Sequence, residues 1–539
     1  MLTYKSRIFF LVCILLSIEP NIIFSQSYVR NIFIERKEVF DSTRADWFFA
    51  APLANYLHIL TKQYIIEDEL LFTGGQEIDD DLLYETERNL RRTGLFSEVA
   101  IELDSVGNDN YDAYIVTRDR WSTLPGLLFG TGGNKTNYGA KFEEINLFGT
   151  GTWIFFEALH RSENNTGWQG IGKILQKRLF RTEISLEDSL YINRYRTEHF
   201  AVIQKPFRTL NTQHSYGVSF QYSFGNDFLF NTELGSELMP FHEKRLRLWY
   251  SRAWKGEDRV FVTGLLELDD VNRGNEKFFR AYDNSGKFLI AFSSVSENYK
   301  PTTMLNSYYL EDLPIGGWGT ATLGKVFPIG SKGEHLYYVG GQGEKSWLTG
   351  DLYLFGQLTG ASSFIKSNGV YTYQEFLGLG FYRLSEKMLL AARFRQQSVW
   401  NWYGLRQLIL DNDNGIRGYN VNDLTGDNRI IGNVELRVFP DWQFWILNFS
   451  LALFFDTGTV WRQDTHLTDT RWHNSAGFGI RIHDLKSAPP RGIFRLDFAF
   501  NFDEGKFGKI IFTTDQLFSV FHQHKFKLPE IYGLEFDVE

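Results

Sequence analysis

Residues 411–458, DNDNGIRGYNVNDLTGDNRIIGNVELRVFPDWQFWILNFSLALFFDTG, decide how the chain is read. The stretch opens with a turn-rich Asn/Asp/Gly segment carrying Ile416, Arg417, Gly418 and Tyr419, and continues into two runs of period two. Along Arg429–Pro440, Arg429, Ile431, Asn433, Glu435 and Arg437 alternate with Ile430, Gly432, Val434, Leu436 and Val438. Along Leu447–Gly458, Asn448, Ser450, Ala452, Phe454 and Asp456 alternate with Leu447, Phe449, Leu451, Leu453 and Phe455. Successive side chains of a strand point to opposite faces, so each run has an apolar face and a more polar one. Glu435 and Asp456 share the polar side. An arginine ahead of a glycine, followed by carboxylates on one side of consecutive strands, suggests a loop folded back and pinned by ion pairs. On spacing alone, Arg417 reads equally well as a solvated loop residue, because turn-rich sequence needs no special role.

The same alternation pervades the rest of the chain. Of 539 residues, 17% are aromatic and 48 are glycine, which fits many strands with aromatic edges better than helical membrane spans. A net charge of -9 gives no electrostatic case for nucleic acid. Residues 1–25 read as a secretory signal peptide: Lys5 and Arg7, an apolar core over Ile8–Ile18 too short to span a bilayer, and Ser25 before a cleavage point. The single cysteine, Cys13, lies in that core, which leaves no thiol chemistry for the mature chain. The mature chain has no run of 18 apolar residues, so entry into a membrane requires a closed barrel with no unpaired backbone groups in hydrocarbon.

Residues 26–121 have a different texture. Val29–Phe40 suggests a strand, Arg44–Lys62 a helix and Tyr64–Phe72 another strand. The clearest helix runs from Asp80 to Thr93, capped by Asp79, with Arg91 and Arg92 in its last turn and Gly94 to end it. Strands over Phe96–Asp104 and Tyr111–Arg118 complete a small α+β module. From Ser122 onward, candidate strands follow one another to Phe521. In Ile493–Asp503, Phe494, Leu496, Phe498, Phe500 and Phe502 oppose Arg495, Asp497, Ala499, Asn501 and Asp503, the pattern of a lipid face set against a wet lumen. Nineteen candidate strands are legible, and two or three between 270 and 370 read as external loop structure.

Several motifs resemble the BamA/TamA family of outer-membrane barrel proteins. ETERNLRRTGLF with the following strand and TRDRWS resembles the family's last POTRA domain. Asn146–Gly151 resembles its early NLLGTG-type hairpin, Ile416-Arg417-Gly418-Tyr419 its signature loop, and Phe454–Gly458 its F-x-D-x-G strand. The resemblance implies an all-β transmembrane barrel of about sixteen antiparallel strands preceded by a small α+β POTRA domain. The segments are a signal peptide (1–25), a POTRA-like periplasmic domain (26–121), an outer-membrane barrel (122–521) and a C-terminal extension (522–539) with no family counterpart. It further implies that Arg417 enters the lumen and pairs with Glu435 and Asp456. A lateral seam would lie between a short first strand, about Leu124–Gly130, weakened by Pro125 and Gly126, and a last strand ending on Phe518 and Phe521.

There is no G-x-S-x-G, H-E-x-x-H or P-loop, and Asp411–Gly415 matches a calcium loop poorly. No enzymatic activity, cofactor or metal is therefore expected. The expected partners are outer-membrane lipids, unfolded client polypeptides, and periplasmic chaperones or accessory proteins. The expected function is assembly or translocation of polypeptides at the outer membrane. A dedicated exporter and a passive porin are the other two readings.

Overall fold

The computed structural model describes residues 27–40, 55–56, 58–107, 109–132, 134–209, 211–231, 235–254, 258–274, 279–308, 311–330, 333–444, 447–484, 493–513 and 526–535. The signal-peptide reading of 1–25, most of the helix expected over Arg44–Lys62, and Phe518 and Phe521 lie outside these residues. The chain divides into two compact units, Met1–Arg120 and Trp121–Glu539.

The first unit is a three-stranded sheet with a helix against it. Tyr28–Lys37 pairs in parallel with Asn110–Asp119, which pairs antiparallel with Phe96–Gly107. The helix is Asp80–Arg92. Asp79 caps it by accepting the Leu82 N–H at 3.3 Å, and Gly94 ends it at φ +79°. Where a strand is expected over Tyr64–Phe72, the chain instead forms a short helix, Gln63–Glu67, with Ile66 fully buried. A short apolar run such as Ile65-Ile66 has too few residues to separate the two periods. Arg30 forks onto the buried Asp112 (Nε–Oδ1 3.0 Å, Nη2–Oδ2 2.7 Å), and its guanidinium holds that carboxyl below the usual carboxylate range.

The second unit is a closed antiparallel barrel in which sequence neighbours pair throughout. Its polarity is inside out. Phe288, Phe292, Tyr337, Leu354, Leu358 and Leu453 are exposed, whereas Ser223, Ser251, Thr263, Asp269 and Lys287 are buried. That is how a barrel meets lipid outside and polar groups inside. Among the described residues it has twenty long strands, from Thr123–Gly132 to Lys506–Thr513, rather than about sixteen. Every strand legible between 270 and 370 is a wall strand, and one more, Ser285–Thr302, joins them. It escapes detection because both its faces hold apolar residues: Phe288, Ile290 and Phe292 outward, Leu289 and Ala291 inward. Its inward Lys287 is bound by Glu267 at 2.6 Å and by Asp269.

The sequence has one cysteine, Cys13, so a Cys13→Ser background makes cysteine scanning clean. Phe288→Cys and Phe292→Cys should be shielded from a charged maleimide by bilayer and react with an apolar one. Equal reaction of both positions with the charged reagent in the folded protein contradicts this register.

Candidate functional site

The loop between Met388–Trp400 and Asn428–Val438 turns into the barrel. It forms a small hairpin of its own, Leu408–Leu410 paired with Leu424–Gly426. Between them, Asp411 organises a turn. Its Oδ1 accepts the N–H groups of Asp413 (3.0 Å) and Asn414 (2.8 Å), and its Oδ2 accepts that of Asn422 (2.6 Å). With the carboxylate so occupied, the Asp/Asn run is a turn, and among the described residues no group of three or more His, Cys, Asp or Glu is placed to hold a metal ion.

The turn delivers Arg417 to the barrel wall with no exposed surface. Its fork closes on Asp456, Nε to Oδ2 and Nη2 to Oδ1, both at 2.8 Å. Nη1 donates to Glu435 Oε2 at 3.0 Å and to Asp497 Oδ2 at 3.3 Å. The guanidinium carbon lies 3.4 Å from the centroid of the Phe454 ring, so one flat face rests on an aromatic. Asn433 Nδ2 adds a bond to Asp456 at 2.7 Å and another to the Gly415 carbonyl at 2.8 Å. Arg437 and Arg481 share the remaining carboxylate capacity of Glu435. The sequence suggests a partly wet lumen here; the structure instead seals the cluster, because the loop itself fills this sector.

Asp497 is the residue that sequence reasoning left without a role. Its position on the polar face of Ile493–Asn501 was the available signal. Gly479, its cross-strand partner, makes room for it: a Cβ there would overlap Asp497 Oδ1. Neighbouring loop residues are seated as firmly. Ile416 packs with Leu410, Tyr419 and Ile431. Gly418 sits at φ +87°, with Ala499 Cβ 3.0 Å from where its own Cβ would be. The Tyr419 hydroxyl lies 3.1 Å from Asp503 Oδ2 and accepts the Asn474 N–H at 3.1 Å.

The loop also reaches the beginning of the barrel. Asp413 pairs with Lys135 on the second strand, and Asn422 Nδ2 donates to Glu163 Oε1 at 2.8 Å. It thus bridges, from inside, the two ends of the sheet. Among the described residues those ends meet through one register pair, Thr131↔Phe512. Leu124, Pro125 and Gly126 pair with Glu143, Phe142 and Lys141 of the second strand. The described last strand stops at Thr513, short of the residues that would run beside them.

A barrel that is apolar outside and polar inside, with an arginine-anchored loop folded into it, is a membrane barrel. Residues 342–518 match the model of the Omp85 superfamily domain. No curated protein matches the chain. Among solved structures, BamA from Haemophilus ducreyi lacking POTRA domains 1–3 is similar at 12% identity over 90% of this chain and 83% of that one, with a TM-score of 0.42. CdiB from Escherichia coli is similar at 10% identity over 88% and 73%, with a TM-score of 0.44. CdiB from Acinetobacter baumannii is similar at 11% over 90% and 73%, with a TM-score of 0.43.

Removing Arg417 would take from Asp456 the fork that closes on it, and from Glu435 and Asp497 one of the several cations they share. Breaking a buried pair by deleting one partner costs about 3–5 kcal/mol, which here falls on the seating of the loop. Arg417→Ala should therefore expose the loop to protease while the barrel still shows heat-modifiable migration. Arg417→Lys should be intermediate, because a point charge cannot fork to Asp456 and reach Glu435 as well. Equal protease resistance in wild type and Arg417→Ala would refute the anchoring role.

Proposed function

We propose that the protein is an outer-membrane assembly or translocation factor, which passes polypeptides into or across the outer membrane without nucleotide or cofactor. The observation that carries this reading is the loop. It is anchored by Arg417 to the late strands and by Asp413 and Asn422 to the early ones, so its seating and the closure of the barrel are coupled. A passive pore has no use for an internal brace across its own junction. In this reading, release of the loop loosens the seam between the first and last strands, and a client strand pairs with the freed edge.

The front unit supports the same reading as a periplasmic POTRA module that receives clients. Its three-stranded sheet has two edges, Tyr28–Lys37 and Phe96–Gly107. Edge N–H and C=O groups accept an added strand at little cost. Chaperones or accessory proteins would dock on this unit, and lipids on the barrel's outer face.

Depletion followed by quantitative proteomics of the outer membrane and the medium tests the function. Broad loss of other barrel proteins supports a general insertase. Loss of one or a few secreted proteins supports a dedicated exporter. An unchanged proteome with altered uptake of small solutes overturns the polypeptide reading in favour of a pore.

A further inference from the structure

The chain re-enters its own barrel. Residues 526–535 lie in the lumen, and their contacts run along it. Phe526 meets the rings of Phe207 (4.9 Å) and Phe261 (5.2 Å), near the end at which the first strand begins. Lys527 Nζ bonds Gln342 Oε1 at 3.2 Å and sits 4.6 Å from the Trp318 ring centroid. Towards the other end, the Tyr338 hydroxyl donates to the Glu530 carbonyl (3.2 Å) and accepts the Tyr532 N–H (3.1 Å). Six residues of extended chain cover roughly 20 Å, enough to link these two levels of the wall.

The seat is built rather than incidental. Ile531 and Tyr532 are buried in one apolar cluster with Leu289, Tyr338 and Tyr373 of the wall. Gly533 takes φ +86°, and a Cβ on it would lie 2.8 Å from the Tyr373 ring, so the tail residue and its cradle are fitted to each other. Beside this seat lies a cavity of about 850 Å³ whose wall carries more cations than carboxylates, with Arg245, Arg280, Arg393 and Arg395 standing beside Glu243, Glu267 and Glu375. The tail carries Glu530 and Glu535 along that cavity, and residues 528–539 contain four carboxylate side chains and no lysine or arginine. Backbone bonding through Tyr338, an apolar anchor and charge complementarity are the parts of an extended-peptide site.

We propose that the lumen holds a binding site for extended polypeptide, occupied in cis by residues 526–535 as a displaceable plug. The partner it fits in trans is a segment of the same chemistry, a branched aliphatic and an aromatic flanked by carboxylates. The site is a property of the lumen and stands whether the protein inserts, exports or does neither, so its test is separate from the depletion experiment.

The test uses purified full-length protein, a variant lacking 526–539, and Gly533→Val, each checked for folding by heat-modifiable migration and placed in planar bilayers. Deletion should raise single-channel conductance severalfold. A synthetic peptide of sequence FKLPEIYGLEFDVE should lower it again, and a scrambled peptide should not. Gly533→Val should open the channel part of the time, and it carries the test if the deletion does not fold. Conductance equal to the full chain in the folded variants overturns the plug. Block by the scrambled peptide as strong as by the native one overturns the site.

Discussion

A guanidinium with no exposed surface must be surrounded by anions, and the wall of this barrel is built to supply them to Arg417. Glu435, Asp456 and Asp497 come from three strands, 428–438, 447–461 and 493–501. Period two turns all three inward, and antiparallel register sets their level: Asn433 faces Asp456, Asp456 faces Ser475, and Asp497 faces Gly479. A slip of one residue in any of these ladders would send a carboxylate into lipid and bring an apolar side chain into the cluster. The arginine therefore has two effects. It seats the loop, and it penalises every register but one across the last third of the barrel. The three carboxylates in turn need cations to stand together: Arg417 touches all three, Arg437 and Arg481 also serve Glu435, and Arg481 and Arg495 also serve Asp497.

Around that cluster, the inside-out polarity creates a second constraint. Inward side chains are largely charged or hydroxylic, and a charge away from water needs a partner. The wall meets this partly within itself, as where Lys287 serves Glu267 and Asp269 and where Arg245 binds Asp269 at 2.6 Å. Elsewhere the chain fills its own lumen. The loop occupies the sector beside the late strands, and the tail lies against the wall from Trp318 to Tyr373. Ile531 and Tyr532 complete the apolar cluster around Tyr338, part of which would face water without them.

Much of this was legible in the sequence because period-two alternation is local. Ile493–Asn501 shows its lipid and lumen faces in nine residues, and Glu435 and Asp456 fall on the polar faces of two alternating runs, whereas Arg417 stands out from a solvated turn only through its resemblance to a family loop. What stayed hidden depends on distant partners. Ser285–Thr302 has apolar residues on both faces, and only pairing with its neighbours makes it a strand. Gln63–Glu67 is too short for its period to separate helix from strand. Asp497 lies 80 residues from Arg417, and nothing near it in the sequence points to that partner. The tail is the extreme case. Its cradle is assembled from residues between 202 and 399, each unremarkable in its own strand, and only barrel closure brings them face to face with Tyr532.

The two lumenal segments are held by comparable energies but differ in how readily a passing chain replaces what each loses, and that difference orders their roles. Unseating the loop breaks a cluster in which one cation serves three buried carboxylates, a loss of about 3–5 kcal/mol for the pair alone. Unseating the tail exposes chiefly Ile531 and Tyr532, at about 1.5–3 kcal/mol for each large apolar side chain, and part of that is recovered when an incoming segment takes the same seat. The tail's polar bonds go mostly through its backbone, which any extended chain can reproduce. A passing polypeptide would thus exchange like for like at the tail, whereas nothing in a generic chain replaces the fork of Arg417 on Asp456. Exchange with a passing chain is then the tail's role, and the loop moves only when its ion-pair cluster is opened.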